Sequence, residues 1–151
     1  MSALLDRVPQ ARLFAVGASP PAWLVRAGQH DDRVAVTGYV ADERPYLDRC
    51  AALILPLRFG GGSRLKALIA MASGLPIIST RVGIEGLEAE ADVHYLAAES
   101  PSAWVQAIDR LLGDTGLRQR LARAGRRLVE QQYDWSMIRA DVRTAYDWLS
   151  G

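Results

Sequence analysis

Residues 53–80 read LILPLRFGGGSRLKALIAMASGLPIIST. The apolar run Leu53-Ile54-Leu55-Pro56 gives way to Arg58-Phe59 and three consecutive glycines; a helix-like segment then runs to Gly74, and a second apolar run follows. The order is strand, glycine loop, helix, strand. Gly60, Gly61 and Gly62 open backbone conformations closed to other residues and leave no Cβ in the way of a ligand. Their amides would stand at a helix N-terminus, where unpaired N–H groups and the helix dipole favour an anion such as phosphate. The stretch predicts an anion site at the carboxyl end of a parallel strand.

The same alternation extends outward. Towards the N-terminus, Leu4, Leu5 and Val8 have helical spacing and Pro9 closes that helix. Arg12 to Gly17 reads as a strand, and Gly17-Ala18-Ser19-Pro20-Pro21 turns into a helix through about Gln29, with the prolines in its first turn. Arg33 to Val36 is a strand ending at Gly38, Asp42 caps a helix from Glu43 to Arg49, and Ala51 to Leu57 is the third strand. The quoted stretch supplies helix 64–73, with Leu65, Leu68, Ile69 and Ala72 as its inner stripe, and the strand Pro76 to Thr80. Beyond the turn Arg81 to Gly86 come a short strand, Val93 to Ala97, and a helix capped by Ser100 with Pro101 at its first position. Asp114 caps the next helix, whose Arg120, Arg123 and Arg127 face outward, and a last helix spans Ser136 to Leu149.

Such alternation predicts an α/β fold: a doubly wound, Rossmann-like parallel sheet with helices on both faces, one domain over 1–151, closed by helices from about 101 to 149. Ligands of such sheets bind beyond the carboxyl ends of the strands. The turns expected there are Gly17-Ala18-Ser19, Gly38-Tyr39-Val40, Arg58 to Ser63 and Arg81 to Gly86.

Composition narrows the function classes. Eighteen basic and 17 acidic side chains nearly cancel, so no bulk attraction to nucleic acid or anionic lipid is expected, and the arginines of 120–127 read as a solvated helix face. Cys50 stands alone beside an apolar run and reads as an inert thiol in a reducing, cytoplasmic setting. The start MSALLDRVPQ lacks the pattern of an export signal, and no apolar run approaches the ~18 residues of a spanning helix.

The glycine loop is neither G-x4-G-K-[ST] nor G-x-G-x-x-G. By itself it fits a tight strand-to-helix connection as well as a phosphate site. Ser63, Arg64 and Lys66 shift the balance: Ser63 can cap the helix or donate to an anion, and two cations in a first helical turn oppose the dipole unless an anion joins them. His30 and His94 lack metal-ligand spacing and read as surface or satisfied histidines; no protein-bound metal or cofactor is expected. The serines sit in no G-x-S-x-G elbow. Glu85, between Gly83 and Gly86, is the best-placed carboxylate, with an exposed loop residue as the alternative.

The ordered set Pro56 to Lys66, Ala70 to Thr80, and Gly83-Ile84-Glu85-Gly86-Leu87 resembles the carboxyl-terminal half of GT-B glycosyltransferases of family 4, also called glycosyl transferases group 1. The likeness extends to Leu13 to Gly17, to Val36 to Val40, and to Tyr133-Asp134-Trp135-Ser136, covering nearly the whole chain. It implies a domain that holds the nucleotide-sugar donor of a retaining sugar transfer in glycan or polysaccharide assembly. Residue by residue, it puts the base and ribose near Gly38, Tyr39 and Val40, the diphosphate near Gly60, Gly61, Gly62, Ser63 and Arg64, and the sugar–phosphate near Gly83, Glu85 and Gly86, with Gly17 in the first such turn. Arg64 and Lys66 are the candidates to offset charge on the leaving diphosphate.

Three departures from the family pattern matter. Where the family commonly has a glutamate before Ala-Met-Ala, to bond the donor ribose, this chain has Ile69, and eight residues earlier it has Gly61. The first central strand, with its catalytic arginine and lysine, and the acceptor-binding amino-terminal domain are missing from the sequence, which implies half an active site, inactive in isolation. Strands 12–16 and 52–56 would then carry open edges suited to self-association. The full-length parent is expected in the cytoplasm, peripheral at the inner membrane. Two other readings stand beside the donor domain: a non-catalytic interaction module of the same fold, and part of a GT-B nucleotide-sugar epimerase.

Overall fold

A computed structural model of the chain describes residues 9, 11–60, 62 and 64–134. The helices expected over 1–8 and 136–149, and Gly61 and Ser63 of the glycine loop, lie outside the described residues. The chain divides into two compact units, Met1–Cys50 and Ala51–Gly151. Each is α/β, and every strand pairing is parallel.

The first unit holds β1 (Leu13–Val16), α1 (Ala22–His30), β2 (Val34–Gly38) and α2 (Arg44–Leu47). β1 lies along β2 with Leu13 opposite Val34, and a register shift after Ala15 brings Val16 opposite Gly38. Pro20 and Pro21 stand just ahead of α1 rather than inside its first turn, Pro21 being the N-cap. α1 packs tightly on β2: a Cβ on Gly28 would lie 3.0 Å from the Val34 carbonyl oxygen and 3.2 Å from Val36 Cγ2. Phe14 meets Tyr46 edge-on at 6.1 Å and lies 6.0 Å from the Arg49 guanidinium. Asp42 does not cap α2 as expected. Glu43 is the N-cap, without a side-chain bond, and the Asp42 carboxylate instead accepts the Arg44 N–H at 3.0 Å and the Arg44 guanidinium. The neighbouring guanidinium competes for a short side chain that would otherwise serve the helix end.

The second unit holds β3 (Leu53–Leu55), α3 (Leu65–Ala72), β4 (Ile77–Ser79), α4 (Arg81–Ile84), β5 (Leu96–Ala97), α5 (Pro101–Gly113) and α6 (Thr115–Gln132), with strand order β3-β4-β5. β3 stops at Leu55 because Pro56 has no N–H to continue the ladder. β4, in the middle, is buried throughout. β5 is shorter than expected: Asp92 to His94 form a turn, closed by the Asp92 N–H on the Tyr95 carbonyl at 2.8 Å, and only a bridge at Tyr95 precedes the strand. Ser100 accepts from the Ala103 N–H and Asp114 from the Leu117 N–H, so the two expected caps set the starts of α5 and α6. Arg118 then donates to the carbonyls of Leu111 and Leu112, both at 2.7 Å, closing the end of α5.

The inner face of α3 is not the expected stripe. Ala67, Ala70 and Met71 are buried, whereas Leu65 is 58% and Ile69 40% exposed. α6 decides the face: a Cβ on Gly125 would stand 3.0 Å from Met71 Cγ, so the two helices meet across small residues. Arg120, Arg123 and Arg127 are exposed, as expected. No helix among the described residues is long and apolar enough to cross a membrane. Among the described residues, β1 pairs with β2 alone and β3 with β4 alone in their own sheets.

α4 takes up part of the turn expected over Arg81 to Gly86. Thr80 caps it, accepting the Gly83 N–H at 3.1 Å while its own hydroxyl donates to the Leu57 carbonyl. Gly83 is buried, and a Cβ there would fall 2.2 Å from Ser79 Oγ and 3.1 Å from the Leu55 carbonyl oxygen. Gly83→Ala should therefore cost about 2 kcal/mol, seen as a lower urea midpoint. Adding Ser79→Ala should recover part of it by removing the nearest obstacle. An unchanged midpoint in the single variant would show that the turn moves aside freely.

In the first unit, Arg33 donates to Asp31 from Nη2 at 2.7 Å, from Nε at 2.9 Å and from its backbone N–H at 2.9 Å. The side-chain bonds, then the backbone bond, hold the Asp31 carboxyl down from the usual 3.8 to about 2. The folded value lies below the unfolded one, so the contribution to stability is complete above about pH 4 and is lost as pH falls through about 2. An NMR titration of Asp31 should inflect near 2, and return towards 3.8 in Arg33→Ala.

Candidate functional site

The second unit builds a compact cluster where the chain leaves β3. Pro56 ends the ladder, Leu57 to Gly60 run along the surface with Phe59 87% exposed, and the glycine loop leads into α3. Gly60 (φ 137°) and Gly62 (φ 98°) adopt conformations that side chains disfavour, and a Cβ at either would meet open space. The loop thus needs glycine at both positions for its backbone, and no described atom lies within 4 Å of where either Cβ would stand.

Arg64 is the N-cap of α3. Its side chain is 8% exposed, far less than is usual for arginine. Nη2 donates to the Gly60 carbonyl at 3.0 Å and to Glu85 Oε2 at 3.3 Å. Nε is buried and has no hydrogen-bond partner among the described residues. A buried N–H left without a partner costs about 1–3 kcal/mol, more where the group is charged. The guanidinium is therefore anchored at one end and undersatisfied at the other.

Glu85 reaches it from the C-cap of α4, just after β4. Thr80 starts α4, Gly83 lets that turn sit directly on Ser79, and Gly86 (φ 83°) turns the chain away again. The Leu87 N–H closes on the Ile84 carbonyl at 3.0 Å, and the Glu88 N–H donates to the Tyr133 hydroxyl at 2.9 Å, tying the loop to the end of α6.

Of the residues expected at a site, Gly60, Arg64, Gly83, Glu85 and Gly86 thus stand together, and Lys66 is exposed on the second residue of α3. In the first unit, the Gly17 N–H donates to the Gly38 carbonyl at 3.1 Å, Gly38 has φ 69°, Tyr39 is exposed and Val40 half-buried. Sequence reasoning gave no role to Ser79, Thr80 or Tyr133. The first two carried a signal, a hydroxyl pair closing the apolar run Pro76 to Thr80; Tyr133 carried none beyond its place in the family pattern.

The remaining candidates are structural. His94 Nδ1 accepts the Glu90 N–H at 3.0 Å, a satisfied histidine. Burial pushes the Cys50 thiol up, against the influence of Arg49, which makes it a poor nucleophile. Among the described residues no three His, Cys, Asp or Glu side chains gather to hold a metal ion.

Comparison with known proteins bears on this arrangement. The family model of glycosyl transferases group 1 matches residues 1–114. Over 88 residues the chain is 33% identical to the D-inositol 3-phosphate glycosyltransferase of Salinispora arenicola strain CNS-205, a match covering 57% of this chain and 20% of that protein. The chain spans about a fifth of the length of the curated relatives it matches. It superposes with a TM-score of 0.74 on the C-terminal domain of a glycosyl transferase group 1 family protein from Francisella tularensis, at 24% identity, covering 88% of this chain and 75% of that one. With Anabaena HepE, solved in complex with UDP and glucose, the TM-score is 0.77 at 18% identity, over 97% of this chain and 44% of the other. The chain belongs to the glycosyl transferases group 1 family, and its fold is that of the carboxyl-terminal half of a GT-B glycosyltransferase.

Proposed function

We propose that this chain is the donor-binding part of a retaining glycosyltransferase, that its second unit receives the diphosphate of a nucleotide-sugar, and that transfer to a glycan acceptor requires a further domain. The observation that carries this reading is Arg64: a guanidinium 8% exposed, with an unpartnered buried Nε, at the start of a helix that follows an open glycine loop. An anion at that position would give the arginine its missing partner and meet the helix N-terminus at once. During transfer, negative charge grows on the leaving diphosphate, and in this reading Arg64 and Lys66 offset it. Gly61, Gly62 and Ser63 complete the proposed cradle, Gly83, Glu85 and Gly86 its sugar–phosphate side. For Gly17, Gly38, Tyr39 and Val40 we propose the nucleoside contacts that the family pattern implies. That a related fold was solved with UDP and glucose supports a uridine nucleotide as the first ligand to try.

A second reading, a non-catalytic interaction module, draws support from the exposed apolar residues Leu65 and Ile69 on α3. Calorimetric titration with UDP, GDP, dTDP and ADP separates the two. The donor reading expects micromolar binding of at least one nucleotide, weakened about tenfold to a hundredfold in Arg64→Ala; silence for all four at millimolar concentration would leave the interaction module. Ile69→Glu offers an independent check. Because Ile69 is partly exposed, this variant should change stability by no more than about 0.5 kcal/mol. A carboxylate there should tighten nucleoside-diphosphate binding if α3 faces the ribose, and leave it unchanged if it does not.

A further inference from the structure

Among the described residues, the anionic partner of Arg64 is Glu85. Its Oε2 stands 3.3 Å from Nη2, a long contact for a charged pair, and its side chain is 72% exposed while that of Arg64 is 8% exposed. The two partners are therefore unequal. Arg64 is fixed by the Gly60 carbonyl and by burial, whereas Glu85 can rotate into water at little cost, because the ion pair of a largely exposed carboxylate is worth little. Burying a guanidinium with no counter-charge is expensive, so a carboxylate in that role stabilises the empty loop.

We propose that Glu85 is a resident counter-ion of Arg64, which an incoming diphosphate must displace and which lowers the affinity of the site for bare diphosphates. The proposal rests on the donor-site reading. A diphosphate carries more negative charge than a carboxylate and offers several acceptor oxygens to Nε and Nη2 together. It cannot share Nη2 with Glu85, since two anions on one nitrogen repel. A diphosphate that takes the Nε–Nη2 edge of the guanidinium therefore does so by exchange with Glu85. Among the described residues the side-chain partner of Glu85 is Arg64 and not Lys66, so the effect of Glu85 should pass through Arg64.

The test uses the full chain with inorganic pyrophosphate and with UDP. Glu85→Gln keeps the shape and removes the charge, and because the Glu85 side of the pair is largely exposed it should lower the thermal midpoint only slightly. Pyrophosphate should bind this variant about threefold or more tighter than the unaltered chain. In Arg64→Ala the same Glu85→Gln change should bring no gain, and the Glu85 carboxylate carbon resonance of the unaltered chain should shift on saturation with pyrophosphate. Equal or weaker pyrophosphate binding by Glu85→Gln, or a gain that persists in Arg64→Ala, would overturn the counter-ion role while leaving the donor reading intact. Absence of pyrophosphate and UDP binding in both the unaltered chain and Glu85→Gln would overturn the two together.

Discussion

Gly83 sits where no other residue could without displacing its surroundings, since a Cβ there would be 2.2 Å from Ser79 Oγ and 3.3 Å from Leu55 Cβ. Much of the second unit depends on that approach. It seats α4 on the carboxyl ends of β3 and β4, so that Thr80 can serve at once as its cap and as a donor to the Leu57 carbonyl. It also sets the exit of α4, from which Glu85 reaches Arg64 across 21 residues of sequence. A close contact between backbone and hydroxyl thereby controls the position of a charged pair that neither partner could fix alone.

The packing of α3 shows a similar control by small residues. Its sequence, LKALIAMA, is apolar at every position but one, so hydrophobicity permits either side to face inward. The larger side chains, Leu65 and Ile69, look like the better core. The choice falls the other way: Gly125 on α6 lets that helix approach Met71 closely, and Ala67 and Ala70 are buried with Met71 on the same face of α3. That choice changes the meaning of Ile69, which is a surface residue of α3 and not part of the core.

Local signals were therefore legible and partner-dependent ones were not. The parallel α/β order follows from alternating apolar runs and glycine turns. Ser100 and Asp114 mark their helix starts because a capping side chain acts within three residues. Gly60 and Gly62 announce a loop needing positive φ. By contrast, the Asp42 cap was lost to the adjacent Arg44 guanidinium, the start of β5 to the turn at Asp92, and the face of α3 to a glycine more than 50 residues away. The chemical nature of the candidate site was readable as cations beside glycines. Its internal pairing was not, because Arg64 and Glu85 meet only once α4 is seated on Ser79.

The electrostatics of the start of α3 join these strands. Arg64 and Lys66 stand at the N-terminal end of a helix, where the dipole disfavours positive charge by roughly 0.3–1 kcal/mol each. Arg64 adds the cost of an almost buried guanidinium whose Nε has no partner. Nothing in the packing requires these costs: α3 is held by Ala67, Ala70 and Met71 on its other side, and an uncharged N-cap such as serine would serve the helix better. One exposed carboxylate at 3.3 Å recovers only part of the loss. An arrangement that is unfavourable when empty, on a loop whose glycines leave open space above it, becomes favourable once an anion with several acceptor oxygens arrives. The local instability of the empty loop is thus the physical counterpart of its proposed affinity for a diphosphate.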